Sequence, residues 1–133
     1  MEDLLERAVD LGRRLGSSYV EARYQRDTSS ETLLKNGMPE VTGESVSAGI
    51  SVRVIYDGGL GFASTNKLTS TSVSRAVREA VDMARSASRR LRKKRVMGDA
   101  AVYRARYEVK PRVRFDYVDV GSRIELLKEA DTM

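Results

Sequence analysis

The sequence predicts an α+β fold with a mainly antiparallel sheet of about four to six strands and two helices packed on one face. Two segments show the apolar spacing of amphipathic helices, one at the N-terminus and one after residue 69. Between them, several segments alternate apolar and polar residues with the period of two that is typical of strands. Short glycine-containing links join these segments, as expected for antiparallel neighbours. The predicted order is α-β-β-β-β-β-α-β, followed by the start of a third helix.

Residues 1–15 are predicted to form the first helix because their apolar residues gather on one helical face. Glu2 and Asp3 stand at the positive end of the helix dipole, and Gly16 can adopt the left-handed conformation that commonly ends a helix. Residues 20–25 then alternate apolar and polar side chains, which predicts the first strand.

The middle of the chain is predicted to form a succession of strands. Residues 29–42 are predicted as a hairpin around Asn36-Gly37, because both turn positions accept the positive φ of a type I′ turn. The long alternation over residues 46–56 predicts a central strand with one buried face. The turn at residues 57–59 then leads into the next strand.

The second helix has a readable start. Thr69 can cap it, while Leu68 before the cap and Val73 inside the helix can form a hydrophobic staple. Asn36, Gly37, Leu68, Thr69 and Val73 are therefore the predicted structural determinants. The apolar stripe is narrow and rich in alanine, which suits close packing on a sheet, and the helix is predicted to end near Lys93–Val96.

The C-terminal part of the sequence is less regular. Residues 103–109 alternate again and are predicted as an edge strand or an extended arm, until Pro111 interrupts the ladder. A third helix is predicted to open at Asp119. We therefore expect an N-terminal α+β domain over residues 1–100, and an arm with the start of a helix over 101–133. Because this helix has no C-terminal cap, we expect truncation from a longer parent.

The sequence contains no histidine and no cysteine. Zinc sites draw mainly on these two residues, and the common general bases and catalytic triads need an imidazole. We therefore predict no catalytic residue, no metal-binding residue and no cofactor bound by this chain. The lack of a long apolar run and of a basic N-terminal signal predicts no membrane association and a cytoplasmic location.

Basic residues are concentrated in one segment. Residues 85–115 hold twelve Lys or Arg and two acidic residues, a formal charge of +10, whereas the rest of the chain carries −5. A solvated helix end explains cations at this position, and we favour it. The alternative is a site that tracks nucleic-acid phosphates, with Tyr103 and Tyr107 stacking on bases. The candidate polyanion-binding residues are Arg89, Arg90, Arg92, Lys93, Lys94 and Arg95.

Three other patterns are better explained structurally. Ser64 and Lys67 match the Ser-x-x-Lys pattern of penicillin-recognising enzymes, but the companion elements of those enzymes are missing. Residues 57–61 lack the glycine spacing and the lysine of phosphate-binding loops, so a hairpin turn is favoured. Helix capping and solubility explain the C-terminal carboxylates, which are Asp116, Asp119, Glu125 and Glu129.

Five stretches carry a family resemblance through their order. They are LGSSYVEAR at 15–23, the Asn36-Gly37 turn, GFASTN at 61–66 before Leu68-Thr69, RAVREAV at 75–81 and IELLKEAD at 124–131. Each stretch alone is ordinary helix or turn chemistry. Together, in this order, they resemble the N-terminal domain of the TldD/PmbA family of metallopeptidases, sometimes called modulators of DNA gyrase, over nearly the whole chain.

The resemblance implies a non-catalytic N-terminal domain of a zinc-dependent peptidase or of its partner subunit. It implies a scaffold for homo- or heterodimerisation that presents unfolded peptide, with zinc in the catalytic member. The His-Glu-x-x-x-His zinc motif of that member has no match here, because this chain has no histidine. The alternative function is a stand-alone basic binding module for nucleic acid or an acidic protein partner.

Overall fold

The computed structural model describes residues 1–98, 100–101 and 103–131. It confirms the α+β class and the antiparallel sheet, which has three strands in the order β1-β2-β3. The elements follow one another as α1 Glu2–Arg14, β1 Tyr19–Lys35, β2 Met38–Tyr56, β3 Gly59–Thr65, α2 Ser70–Ser88, a short 3-10 helix Phe115–Tyr117, and α3 Val120–Asp131. The three α-helices thus begin where the sequence indicated.

The predicted count of four to six strands is wrong. The predicted first strand and the first arm of the predicted hairpin form one continuous strand, β1. The second arm of that hairpin and the predicted central strand likewise form one continuous strand, β2. Gly43 suggested a strand boundary, but it lies within β2 and a Cβ atom there would meet nothing within 4 Å. An isolated glycine weakens a strand without necessarily ending it, so the ladder continues through this position.

Two tight turns connect the three strands. Asn36 and Gly37 lie between β1 and β2 with φ values of 50° and 73°, and Asp57 and Gly58 lie between β2 and β3 with 45° and 76°. Both residues of each pair have the left-handed φ of a type I′ hairpin, whose twist matches that of the flanking strands. The β2–β3 pairing is antiparallel and runs from Tyr56 opposite Gly59 onwards.

The described residues fall into two compact units. The sheet-and-helix unit comprises residues 1–27 and 47–100, and the hairpin unit comprises residues 28–46 and 101–133, described here through 131. In the sheet-and-helix unit, α1, α2 and one face of β2 share a core. Its buried members are Ala8, Ile50, Val52, Val54, Val73, Val77, Ala80, Val81 and Ala84.

Helix α2 lies directly on β3, which places helix backbone against strand backbone. A Cβ atom on Gly61 would overlap the Ala80 carbonyl oxygen and stand 2.8 Å from the Ala84 nitrogen. The small side chains of Ala80 and Ala84 face this strand and are fully buried. The alanine-rich stripe and the strand glycine therefore act together, because each removes atoms that would hold the two elements apart.

The start of α2 is fixed by its cap. The Thr69 hydroxyl accepts a hydrogen bond from the Ser72 amide at 3.2 Å, and Thr69 has the extended backbone of an N-cap residue. Leu68 is half-buried and packs against the core, of which Val73 is a buried member.

Replacing Leu68 with aspartate tests this packing. We expect the free energy of unfolding to fall by about 1 to 2 kcal/mol, because burial is lost and a charge is placed beside the core. Urea unfolding followed by circular dichroism gives the value, with the conservative Leu68→Met as the control. An unchanged midpoint with an unchanged slope would contradict the staple.

Helix α2 ends earlier than predicted, at Ser88 rather than near Lys93–Val96. Beyond Arg89 the chain leaves the helix direction and returns to the β2–β3 turn, where the Arg95 amide donates to the Gly58 carbonyl at 3.4 Å. This contact between distant parts of the sequence outweighs the helical periodicity that Leu91 continues. The basic run is therefore an irregular segment rather than a helix end.

The hairpin unit contains no strand at residues 103–109 among the residues that the structure describes, so of the two predicted alternatives the edge strand is wrong, while the extended arm stays a prediction. Alternation predicts a strand only where one face becomes buried, and here Tyr107 is 85% exposed. Within this unit, the Arg123 guanidinium donates to the Val118 carbonyl at 2.7 Å and to the Ser30 hydroxyl.

Helix α3 begins with a carboxylate cap. Asp119 accepts hydrogen bonds from the Ser122 amide at 3.0 Å and from the Ser122 hydroxyl at 2.6 Å. These bonds lower the pKa of the Asp119 carboxyl, and the bond from the Ser122 side chain has the largest effect. Ile124 and Leu127 are half-buried on this helix, whereas Leu126 is exposed.

No helix in the described part of the chain combines the length and the apolar character that crossing a membrane requires.

Candidate functional site on the open face of the sheet

The sheet has a second face that points away from helices α1 and α2. Gly61 contacts α2, so its neighbours Leu60 and Phe62 stand on the opposite face because side chains alternate along a strand. On β2, Arg53 and Ile55 lie opposite Phe62 and Leu60 in the antiparallel register. These four residues define what we call the open face.

A cleft of about 920 Å³ lies over the open face. Arg53, Ile55, Leu60 and Phe62 line it from the sheet, and residues 93–97 line it from the irregular basic segment. Ile55 is only 4% exposed, whereas Phe62 is 47% exposed. The cleft thus has an apolar floor and a wall that carries three cations.

Two contacts hold the basic segment beside the cleft. The Lys94 ammonium pairs with the Asp57 carboxylate, and the Arg95 amide donates to the Gly58 carbonyl. Both partners belong to the β2–β3 turn. Because the turn is part of a tight hairpin, it provides a rigid anchor for a segment that has no secondary structure of its own.

A second ion pair lies at the β1 side of the cleft. The Arg53 guanidinium is 3.4 Å from the Glu21 carboxylate, which also accepts a hydrogen bond from the Tyr19 hydroxyl at 3.2 Å. Burial, and then the Glu21 charge, raise the pKa of Tyr19. The phenol therefore stays protonated at neutral pH and serves as a donor to Glu21, so this cluster holds the carboxylate that orients Arg53.

Two smaller hollows adjoin the cleft along the open face, of about 260 and 410 Å³. Arg23 and Gln25 of β1 and Ser51 of β2 line both. Phe62 lines both hollows and the cleft, so the three depressions share this side chain. Another hollow, in the hairpin unit, is lined by residues of the single segment 108–116 and brings no separate elements together.

The structure distributes the six candidate polyanion-binding residues rather than joining them in one surface. Arg89 and Arg90 form the exposed turn after α2, and Arg92 is exposed in the following bend. Lys94 is paired with Asp57. Only Lys93, Lys94 and Arg95 line the cleft. Asn36 and Gly37 form the β1–β2 turn, and Leu68, Thr69 and Val73 stand at the start of α2.

The donor atoms of this chain do not fit a zinc ion. The sequence has no imidazole and no thiolate, and the described residues contain no cluster of three or more carboxylates placed to hold a metal. Two of the four C-terminal carboxylates are engaged otherwise: Asp116 pairs with Arg114 at 2.8 Å, and Asp119 caps α3. Structural and catalytic zinc sites need three or four such ligands, and the described residues do not bring such a set together.

Sequence reasoning missed two features that depend on contacts between distant residues. One is the cleft. The sequence signal for it was that Leu60 and Phe62, which alternate with the residues facing the helices, are also apolar. The other is Arg85, whose guanidinium donates to the Leu15 carbonyl at 2.8 Å and lies 4.9 Å from the Tyr56 ring centroid. Arg85 ties the end of α1 to α2, which is a structural role.

Comparisons with known proteins agree with this description. Residues 20–84 match the family model described as PmbA/TldA metallopeptidase domain 1. A metalloprotease from Methanocaldococcus jannaschii is 22% identical over 123 residues, which cover 92% of this chain and 26% of that protein.

Two solved structures share the fold. TldE from Thermococcus kodakarensis superposes with a TM-score of 0.65 at 17% identity, covering 97% of this chain and 30% of that one. A proposed modulator of DNA gyrase from Bacteroides thetaiotaomicron gives a TM-score of 0.69 at 22% identity, covering 96% and 29%. The chain thus spans less than a third of the length of each of these relatives.

The fold is that of an α+β domain, similar to the first domain of the PmbA/TldA metallopeptidases, and its sequence has no histidine and no cysteine. The match over residues 20–84 extends from β1 to the last buried residue of α2, and so includes the strands β2 and β3 that form the open face and the helix that packs on the other face of the sheet. Residues 20–84 thus match the first domain of the TldD/PmbA family, the family that the ordered sequence stretches resemble.

Proposed function

We propose that this chain is the non-catalytic N-terminal domain of a zinc-dependent peptidase, or of the partner subunit of such a peptidase. In this role it is a scaffold for dimerisation and presents unfolded peptide to a hydrolytic site built elsewhere. Zinc at that site would supply the hydrolytic chemistry, held by ligands that this chain does not provide.

One observation carries the proposal: a region matching a metallopeptidase domain contains no histidine and no cysteine. A domain of this kind can contribute to peptide hydrolysis through binding and positioning, which by themselves supply a large part of enzymatic rate enhancement. The open face supports such a role, because it combines an apolar floor with polar groups in a concave surface.

The experiment measures zinc, peptide binding and oligomeric state on the same pure chain. Equilibrium dialysis is expected to give no stoichiometric zinc, and an unfolded fluorescent peptide is expected to bind without being cleaved in the presence of zinc. Sedimentation equilibrium is expected to show a dimer, alone or with a partner subunit. Tight zinc binding or metal-dependent turnover by the pure chain would overturn the non-catalytic assignment, and failure to bind any unfolded peptide would overturn the presenting role.

A further inference from the structure

We infer that the cleft over the open face binds a peptide segment in which an apolar side chain is flanked by carboxylates. This inference rests on the proposed role in peptide presentation and names the class of peptide. It is carried by the juxtaposition of Ile55, Leu60 and Phe62 with Lys93 and Arg95 in one concave surface.

The floor of the cleft fits an apolar side chain. Leu60 and Phe62 are large hydrophobic residues that are 40% and 47% exposed, and they adjoin the buried Ile55. Met97, 47% exposed, lines the same cleft from the basic segment. Adjacent exposed apolar side chains at the base of a concave surface are typical of binding sites, because covering them removes apolar area from water.

The rim of the cleft is positively charged. The charge of Lys94 is neutralised by Asp57, and Arg53 forms an ion pair with Glu21. Across the described part of the chain, no carboxylate forms an ion pair with Lys93 or Arg95. These two cations therefore leave the cleft with a net positive charge, which a ligand carboxylate would complement.

The lining favours a peptide over a nucleic acid. Proteins that track single strands combine a basic groove with a series of aromatic side chains on which successive bases stack. Phe62 is the single aromatic residue among the described lining residues, and it stands beside aliphatic neighbours. The exposed Arg89 and Arg90 are not among the residues that line the cleft, so they add no charge to this concave surface.

Fluorescence anisotropy with the whole chain and three short unfolded peptides tests the inference. The first peptide has one leucine flanked by glutamates, the second has glutamine in place of each glutamate, and the third has serine in place of the leucine. We expect the first peptide to bind at least about tenfold more tightly than either of the others. Phe62→Ser should weaken its binding by about tenfold, and the double variant Lys93→Gln, Arg95→Gln by a similar factor.

Arg78→Gln is the matched control, since Arg78 is an exposed arginine of helix α2, which packs on the other face of the sheet. It should leave binding unchanged, and circular dichroism should show that every variant is folded. Equal binding of the three peptides, or full binding by folded Phe62→Ser, would overturn this inference while leaving peptide presentation intact. Binding of none of the peptides would overturn both.

Titration of a single-stranded DNA at several salt concentrations in the same assay tests whether the cleft binds nucleic acid instead of peptide. We expect weak attraction that disappears near physiological salt, as for any polyanion near a basic segment. Tight binding of DNA that displaces the peptide, is lost in the double variant and persists in Phe62→Ser would overturn the peptide assignment in favour of nucleic acid.

Discussion

Replacing Gly61 with alanine is expected to lower the free energy of unfolding by about 4 kcal/mol, more than most single substitutions. The added methyl group would overlap the Ala80 carbonyl oxygen and approach the Ala84 nitrogen to 2.8 Å. Both obstacles are backbone atoms of α2, so relief requires the helix to move off β3. That movement would open the core formed by Val77, Val81 and their neighbours.

Gly43→Ala provides the matched control for this prediction. Gly43 also lies within a strand, and a Cβ atom there would meet nothing within 4 Å, so we expect a change within about 0.5 kcal/mol. Both substitutions restrict the unfolded chain alike, and the difference between them therefore isolates the close contact with the helix. Urea unfolding of the two variants gives that difference, and equal midpoints would show that α2 does not rest on β3.

The parts of the fold that the sequence predicted correctly are those with local causes. The helical spacing in α1 and α2, the Thr69 cap and the two turns each depend on residues a few positions apart. Asn36-Gly37 and Asp57-Gly58 adopt the left-handed φ that a type I′ turn requires, and these residue types accept it readily.

The errors have non-local causes. Alternation over residues 103–109 has the period of a strand, but a strand also needs a partner and a buried face, which a period cannot reveal. The helical pattern continues to Leu91, yet α2 ends at Ser88, and the chain beyond it is held by Asp57 and Gly58, more than thirty positions away in sequence. Gly43 resembles a boundary until the continuous pairing of β2 is known.

In the candidate site too, the sequence predicted what depends on neighbouring residues and missed what depends on distant ones. The sequence identified the basic run by composition, and composition alone suggested a solvated helix end or a phosphate-binding track. The structure pairs Lys94 with Asp57 and places Lys93 and Arg95 beside Leu60 and Phe62. Because the cleft joins residues about thirty positions apart, its mixed apolar and cationic character could not be read from either segment by itself.

The second large effect concerns the buried half of β2. Ile50→Ala is expected to lower the free energy of unfolding by about 3 kcal/mol, because Ile50 is 0% exposed and its loss leaves a cavity in the shared core. Alternation alone places Val46 on the same side of this strand and predicts that it is buried as well. In the structure, however, Val46 is 58% exposed.

Val46→Ala is therefore the informative partner of Ile50→Ala, since both shorten an aliphatic side chain in the same strand and in the same phase of its alternation. We expect Val46→Ala to change the free energy of unfolding by no more than about 0.5 kcal/mol, because exposed apolar atoms gain little from folding. Urea midpoints measured at a common slope give both values. A large loss in Ile50→Ala alone would place the limit of the core where the structure has it. A loss of similar size in the two variants would instead mean that the core extends past Ser47 along β2, contrary to the burial described above.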